Sequence, residues 1–234
     1  VINEHLPIQK IVVGSTQAIY GEGKYRCTRH GIQYPDLRPP AQLEWRDWDV
    51  HCSLCDEVME AQWTDETVAV PHNSYSLSKR DEEEIALKLG RRYGIPSLAL
   101  RYSIVQGPRQ SFRNAYSGAM RAFAVRALTG NPPIMYEDGC QHRDYVSVHD
   151  VVRANLLALD DTRADFQAFN VGADRRVTVR ELADLIVREV GTGVEPEARG
   201  LYRVGDPRHV FSDVSKLRAL QPPLLSPGRR TTSV

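Results

Sequence analysis

The sequence predicts a mixed α/β fold with a mainly parallel sheet, because short β-branched runs alternate with longer stretches of helical periodicity. Lys10-Ile11-Val12-Val13-Gly14 and Ser97 to Ser103 are the clearest strands, and capping signals mark the helices around them. The first run passes from glycine into Ser15 and Thr16, as a buried strand does on entering a polar turn. Tyr75 to Gly94 reads as a helix. Leu77, Ile85, Leu89 and Tyr93 share one face, charges fill the other, and Gly94 suits a C-terminal cap. A second helix is expected from about Asn114 to Leu128, closed by Gly130 and followed by Pro132 and Pro133. Ser147, with Asp150 at the third helical position, opens another carrying Val151, Val152, Leu156 and Leu157. Thr178 and Glu181 form a capping box ahead of Leu182, Leu185 and Ile186.

Gly21 to His72 has weak periodicity and scattered Gly, Pro, Cys, His and Trp. That is too long for a structureless loop inside a compact domain, so an ordered insertion with its own staple is expected. After Leu220 the proline-rich text reads as a loose tail.

The chain has 234 residues, enough for one large domain or a domain and a half. Lys+Arg and Asp+Glu both total 30, which argues against nucleic acid as a partner, since such domains carry a basic excess. No apolar stretch approaches the ~20 residues that span a bilayer. The first ten residues do not follow a signal-peptide pattern, so a cytoplasmic location without membrane attachment is expected.

Four cysteines are few for a disulfide scaffold. Closely spaced thiols in a reducing compartment are more often metal ligands or redox groups. Cys27-Thr-Arg-His30 and Cys52-Ser-Leu-Cys55 make two short knuckles, each able to present two ligands to one tetrahedral zinc. A structural zinc would explain how so irregular a segment stays ordered. Ordinary reduced thiols, or His51 as fourth ligand, are the alternatives. Four protein ligands leave no open position for catalysis.

Tyr75-Ser-Leu-Ser-Lys79 puts a phenol and an ammonium one helical turn apart on the same face. A free phenol, with a pKa of ~10, is a poor base near neutrality, and a neighbouring ammonium favours the phenolate. Alone, the pair also fits a plain helix surface. Upstream, Gly14-Ser15-Thr16-Gln17-Ala18-Ile19-Tyr20-Gly21 places hydroxyls where open α/β sheets bind ligands, although a turn or helix cap explains them equally. Downstream come Arg101 to Arg109, then Asp138 to Asp150 with Arg143 inside it, Phe169-Asn-Val-Gly172, and Gly205-Asp206-Pro207-Arg208.

In this order the segments resemble the extended short-chain dehydrogenase/reductase family of NAD-dependent sugar-nucleotide epimerases and dehydratases. The resemblance runs from about Ile2 to Leu220. It implies a doubly wound Rossmann-like sheet with a smaller α/β substrate-binding domain. Residues 1–110 would be the C-terminal half of the NAD-binding domain with the Cys/His insertion at 22–72. Residues 111–220 would mainly bind nucleotide-sugar, with 221–234 a tail. The family's Gly-rich phosphate turn is not found in the chain, which begins where the family's fourth helix should be ending. The first strands and most of the NAD pyrophosphate site are therefore expected to be missing.

Residue by residue, the resemblance makes Thr16, Tyr75 and Lys79 catalytic: Tyr75 as base, Lys79 lowering its pKa and holding the nicotinamide ribose, and Thr16 bonding the sugar hydroxyl. Ser15, Tyr75, Lys79 and Arg101 would face NAD. Arg143 would grip the substrate diphosphate, and Arg203 and Asp206 would touch the nucleotide, a plain surface role being the alternative for these two. Gln17 and Ala18 stand where dehydratases carry an acidic pair, which favours epimerisation. Ile104 departs from the family's usual Asn. The segment Gly21 to Cys27 is similar to that of dTDP-L-rhamnose 4-epimerases, which implies C4 epimerisation through a 4-keto intermediate. A reductase or dehydrogenase on the same substrates, or a non-catalytic binding remnant, are the competing readings. A homodimer through the Tyr75 helix is implied as well.

Overall fold

The computed structural model describes residues 7–111 and 118–220. Three parallel strands form its centre: β1 (Ile11–Thr16), β2 (Ser97–Tyr102) and β3 (Ala168–Val171), with β2 in the middle. Ile11 lies opposite Ser97, and Thr16 and Val171 both lie opposite Tyr102, so the three strands end together. Leu98, Ala99 and Leu100 are fully buried. A continuous apolar run is what a strand covered on both faces requires, and each such leucine contributes roughly 1.5–3 kcal/mol. Phe169 and Val171 of β3 join this core together with Ala154, Ala158, Leu217 and Leu220.

The four longest helices among the described residues are α1 (Ser74–Tyr93), α2 (Gly118–Leu128), α3 (Val148–Asp160) and α4 (Val179–Val190); α1 and α3 pack on the central strands, while α2 and α4 pack on each other. The start of the second predicted helix, at 114–117, lies outside the described residues, as does the tail after Leu220. Gly130 closes α2 with a left-handed backbone. Ser147 caps α3, its hydroxyl accepting from the His149 amide at 3.2 Å. The capping box at Thr178 and Glu181 forms in full, with Glu181 N donating to Thr178 Oγ1 at 3.1 Å and Thr178 N to Glu181 Oε2 at 2.7 Å.

The face of α1 that packs on the sheet differs from the apolar stripe read in the sequence. Leu77, Ile85, Leu89 and Tyr93 are exposed, whereas Ser76, Glu83 and Gly90 are buried. The reason is polar chemistry underneath. Ser76 completes a capping box with Asn73, Glu83 meets an arginine of β2, and a side chain at Gly90 would collide with Ser97. On α3 the split is similar: Val151 and Leu157 pack on the core, while Val152 and Leu156 face outward.

The segment 22–72 is ordered. Tyr25–Cys27 pairs antiparallel with Gly31–Gln33 on one side and Glu60–Ala61 on the other. Tyr25, Cys27, Val50, Cys52 and Met59 form a small core of their own. A third core, between α2 and α4, gathers Phe123, Met135, Val179, Leu182 and Ala183.

Candidate functional site

Two cavities of about 310 and 300 Å³ open near the C-terminal ends of β1 and β2, and Arg143, Ile104 and Asp206 line both. Thr16, Gln17, Ala18 and Tyr102 line the smaller, and Tyr136, Tyr145 and Arg203 the larger. Open α/β sheets bind ligands at such strand ends.

Arg143 is placed by a two-residue strand, His142–Arg143, paired antiparallel with Val177–Thr178. Its guanidinium donates to the carbonyls of His142 (2.9 Å), Pro207 (3.0 Å) and Arg208 (2.9 Å). None of the ion pairs among the described residues includes it, although burial pushes its pKa below the usual arginine value. A half-buried cation whose described bonds go to backbone carbonyls retains charge for an anion in either cavity. Asp206 nearby has its carboxyl pKa raised, mainly by burial and against the pull of Arg143 and Arg203. The Arg203 guanidinium stacks 4.9 Å from the centre of the Tyr136 ring.

Thr16 serves as cap to the turn Gln17–Tyr20, its Oγ1 accepting from the Ala18 amide at 3.2 Å. The hydroxyl proton remains for another acceptor. Tyr75 stands at the start of α1, more than half exposed, two residues after Asn73 on the cavity wall. Lys79 donates to the Gly14 carbonyl at 2.8 Å and to Glu82 at 2.7 Å, which pins α1 to the end of β1 and leaves one of its three donors. Ser15 is buried with its Oγ lacking a partner. An orphaned hydroxyl near the end of β1 and a spare ammonium donor on α1 are of the chemical type that the ribose and nicotinamide end of a dinucleotide would need. Arg101, expected to face the cofactor, spends its guanidinium on protein partners. It is buried, paired with Glu83 at 2.8 Å, and donates to Tyr20 Oη at 2.9 Å and the Glu66 carbonyl at 3.1 Å. Those contacts join α1 to the sheet and absorb the guanidinium.

Cys27, His30, Cys52 and Cys55 place one ligand atom each within 4.8 Å of one another. His30 Nδ1 is 3.5 Å from Cys27 Sγ and 3.4 Å from Cys52 Sγ, and Cys27 and Cys55 Sγ are 3.6 Å apart. Tetrahedral zinc with ordinary bond lengths separates sulfur from nitrogen by about 3.6 Å and sulfur from sulfur by about 3.8 Å. The donor set and its spacing therefore fit that ion. His51 is occupied elsewhere, by Asp47 and the Asp56 carbonyl, so it is not the fourth ligand of this cluster.

Residues 54–172, about half of the chain, match the NAD dependent epimerase/dehydratase family. The chain belongs to that family. It is similar to the dTDP-L-rhamnose 4-epimerase of Burkholderia thailandensis, at 30% identity over 216 residues, covering 92% of the chain and 58% of that relative. A putative UDP-glucose 4-epimerase of Methanocaldococcus jannaschii is 35% identical over 153 residues, covering 64% of the chain and 48% of the relative. Among solved structures, the UDP-glucose 4-epimerase of Thermotoga maritima with UDP-glucose aligns at a TM-score of 0.67 and 29% identity, covering 91% of the chain and 57% of its own. The Thermus thermophilus UDP-glucose 4-epimerase complex with NAD gives 0.66 and 29%, covering 90% of the chain and 57% of its own. The chain thus spans well under two thirds of the relatives it matches.

In this family member the sequence reading passed over several residues of the site. Leu37, inside the inserted segment, and His72, at its end, reach the smaller cavity, and Glu137 and Gln141 line the larger. Gly21 could have been found. It combines a positive φ of 60° with a backbone so close to His72 and Val70 that a Cβ would have no room. Asp144 had no signal. Fully buried, it accepts from Ser103 Oγ and the Ala173 amide, both at 2.8 Å, and so ties the end of β2 to the end of β3.

His209 follows Arg208 in the chain, and its Nδ1 accepts from the His142 amide at 3.1 Å. Burial and the surrounding arginines push its pKa down to about 3. Unfolded, it would titrate near 6.5. The unfolded chain therefore binds more protons between those values, and stability must fall as pH drops from about 6.5 toward about 3. Urea midpoints taken from about pH 7 to about pH 5 should decrease in the wild type and flatten in His209→Gln. Equal slopes in the two proteins would remove His209 as the cause.

Proposed function

We propose that the chain is the catalytic and substrate-binding part of an NAD-dependent nucleotide-sugar 4-epimerase acting on a dTDP-6-deoxyhexose such as dTDP-L-rhamnose. The observation that carries the reading is Arg143, a half-buried cation outside any described ion pair, on the wall of two cavities. It suits a diphosphate bridging them, with the sugar toward Thr16 and the nucleotide toward Arg203 and Asp206. In this reading Thr16 orients the sugar hydroxyl, Tyr75 takes its proton, and Lys79 supplies positive charge one turn away. Ser15, Tyr75 and Lys79 are the residues here that would hold NAD, which when bound would supply hydride acceptance and return. The intermediate is a 4-keto sugar, reprotonated at oxygen by Tyr75. Gln17 and Ala18, both on the cavity wall, offer no acid for eliminating water, which supports epimerisation over dehydration.

The reading includes a Rossmann-like division near residue 110, with nucleotide-sugar contacts mainly beyond it. It also includes a structural zinc on Cys27, His30, Cys52 and Cys55. A homodimer is part of it as well, supported by the exposed Leu77, Ile85 and Leu89 along α1.

Calorimetry with dTDP and UDP tests the proposal. The wild type should bind at least one of them, and Arg143→Met should weaken that binding about tenfold to a hundredfold, as expected for charge-assisted hydrogen bonds. No binding by folded wild type ends the reading. With NAD and dTDP-L-rhamnose, epimer should form without net NADH, and Tyr75→Phe should cost about 10²–10⁴ in rate. Stoichiometric NADH change selects a dehydrogenase or reductase, and binding without turnover selects a binding remnant.

A further inference from the structure

Arg38 sits inside the segment bracketed by the two Cys/His knuckles, yet its guanidinium leaves that segment. Both faces of its fork are used. Nη2 donates to Glu137 Oε1 at 2.9 Å and to the Asp206 carbonyl at 2.9 Å. Nη1 donates to Glu137 Oε2 at 3.1 Å and to the Trp48 carbonyl at 2.8 Å, and Nε to Glu22 Oε1 at 3.3 Å. Glu22 in turn accepts from the Arg208 amide at 2.7 Å, and Glu137 from Arg208 Nη1 at 2.9 Å. Arg38, Arg208, Glu22 and Glu137 are all nearly inaccessible to water.

The loop 205–208 is thus held from two sides. Arg143 takes the carbonyls of Pro207 and Arg208, while Arg38 and Glu22 take the Asp206 carbonyl and the Arg208 amide. A buried bidentate pair fixes geometry as well as charge, because the guanidinium fork matches a carboxylate in one orientation. Glu137 itself adopts a left-handed backbone, with φ 51°, which an L-residue holds only when its surroundings impose it.

We infer that Arg38 is a positioning residue for the nucleotide-sugar site: it transmits the order of the metal-knuckle segment to the loop 205–208 that lines both cavities. The inference rests on the proposed ligand of those cavities only for its binding arm. Lysine at position 38 keeps the charge but cannot span Glu137, Glu22 and the Asp206 carbonyl at once.

The test compares wild type, Arg38→Lys and Arg38→Met by metal content, hydrogen exchange and dTDP calorimetry well below the melting temperature. Arg38→Lys should keep its metal, exchange amides of 203–209 about tenfold faster and bind dTDP about tenfold more weakly, with Arg38→Met weaker still. A merely structural role would lower the melting temperature and leave the affinity of the folded protein unchanged. Folded, metal-loaded Arg38→Lys with unchanged exchange and unchanged affinity overturns the inference. If both variants fail to fold, wild type treated with chelator decides. Segment 203–209 should then lose protection together with 24–60, and continued protection of 203–209 overturns it. If wild type binds neither dTDP nor UDP, the functional proposal fails, and exchange at 203–209 still tests the positioning role.

Discussion

Zinc removal is expected to unfold the segment from Tyr25 to Ala61 while the central sheet survives. Among the described residues its buried apolar core is Tyr25, Cys27, Val50, Cys52 and Met59, with Cys55 and Ala61 packed against it, and three of these are candidate zinc ligands. So small a core cannot offset the conformational entropy of ordering some forty residues. Structural zinc in small peptides contributes about 10–16 kcal/mol of apparent binding energy at neutral pH, which is folding energy when no site exists in the unfolded chain. Purified protein should carry about one zinc per chain by metal analysis. Cys52→Ser should lose it, and limited proteolysis should then cut between residues 28 and 58. Because the ligands bind deprotonated, acid should release the ion as well. A wild-type preparation free of metal, with this segment still protected, would sink the zinc assignment.

The second large effect is expected at Glu83→Ala. Glu83 is fully buried on the inner face of α1, and Arg101 opposite it is nearly so. Arg101 Nε and Nη2 both reach the carboxylate, at 3.0 and 2.8 Å. Removing one partner leaves an uncompensated buried charge, which typically costs about 3–5 kcal/mol. The double replacement Glu83→Leu with Arg101→Met removes both charges and should recover most of that loss. Urea denaturation of the three proteins checks it. A single mutant as stable as the double would show that the pair does not anchor α1, and would reopen a role for Arg101 at the cofactor.

The parts of the fold that were legible are those decided within a few residues. Ser147 and Thr178 cap their helices through partners two or three positions away, and Gly94 ends its helix with a left-handed backbone. The strand β2 announces itself through the apolar run Leu98-Ala99-Leu100. The knuckles Cys27-x-x-His30 and Cys52-x-x-Cys55 are local as well, and their mutual approach needs only one chain reversal. The outward turn of Leu77, Ile85 and Leu89 was not legible. Which stripe of α1 faces the sheet depends on Arg101, eighteen positions from Glu83.

The candidate site divides the same way. Spacing alone puts Tyr75 and Lys79 on one helical turn and Thr16 at a strand end. Tertiary structure alone decided that Arg143 holds the loop 205–208, that Arg38 reaches Glu137 across 99 positions, and that Glu22 meets the Arg208 amide across 186. The physical reason is range. Caps, turns and knuckle ligands answer to neighbours in the chain, so the sequence by itself determined the strands β1 and β2, the longer helices and the family order of the motifs. Buried charges answer to whatever the fold brings within about 3 Å. The partners of Arg38, Arg101 and Arg143 were therefore settled only when the chain closed around them.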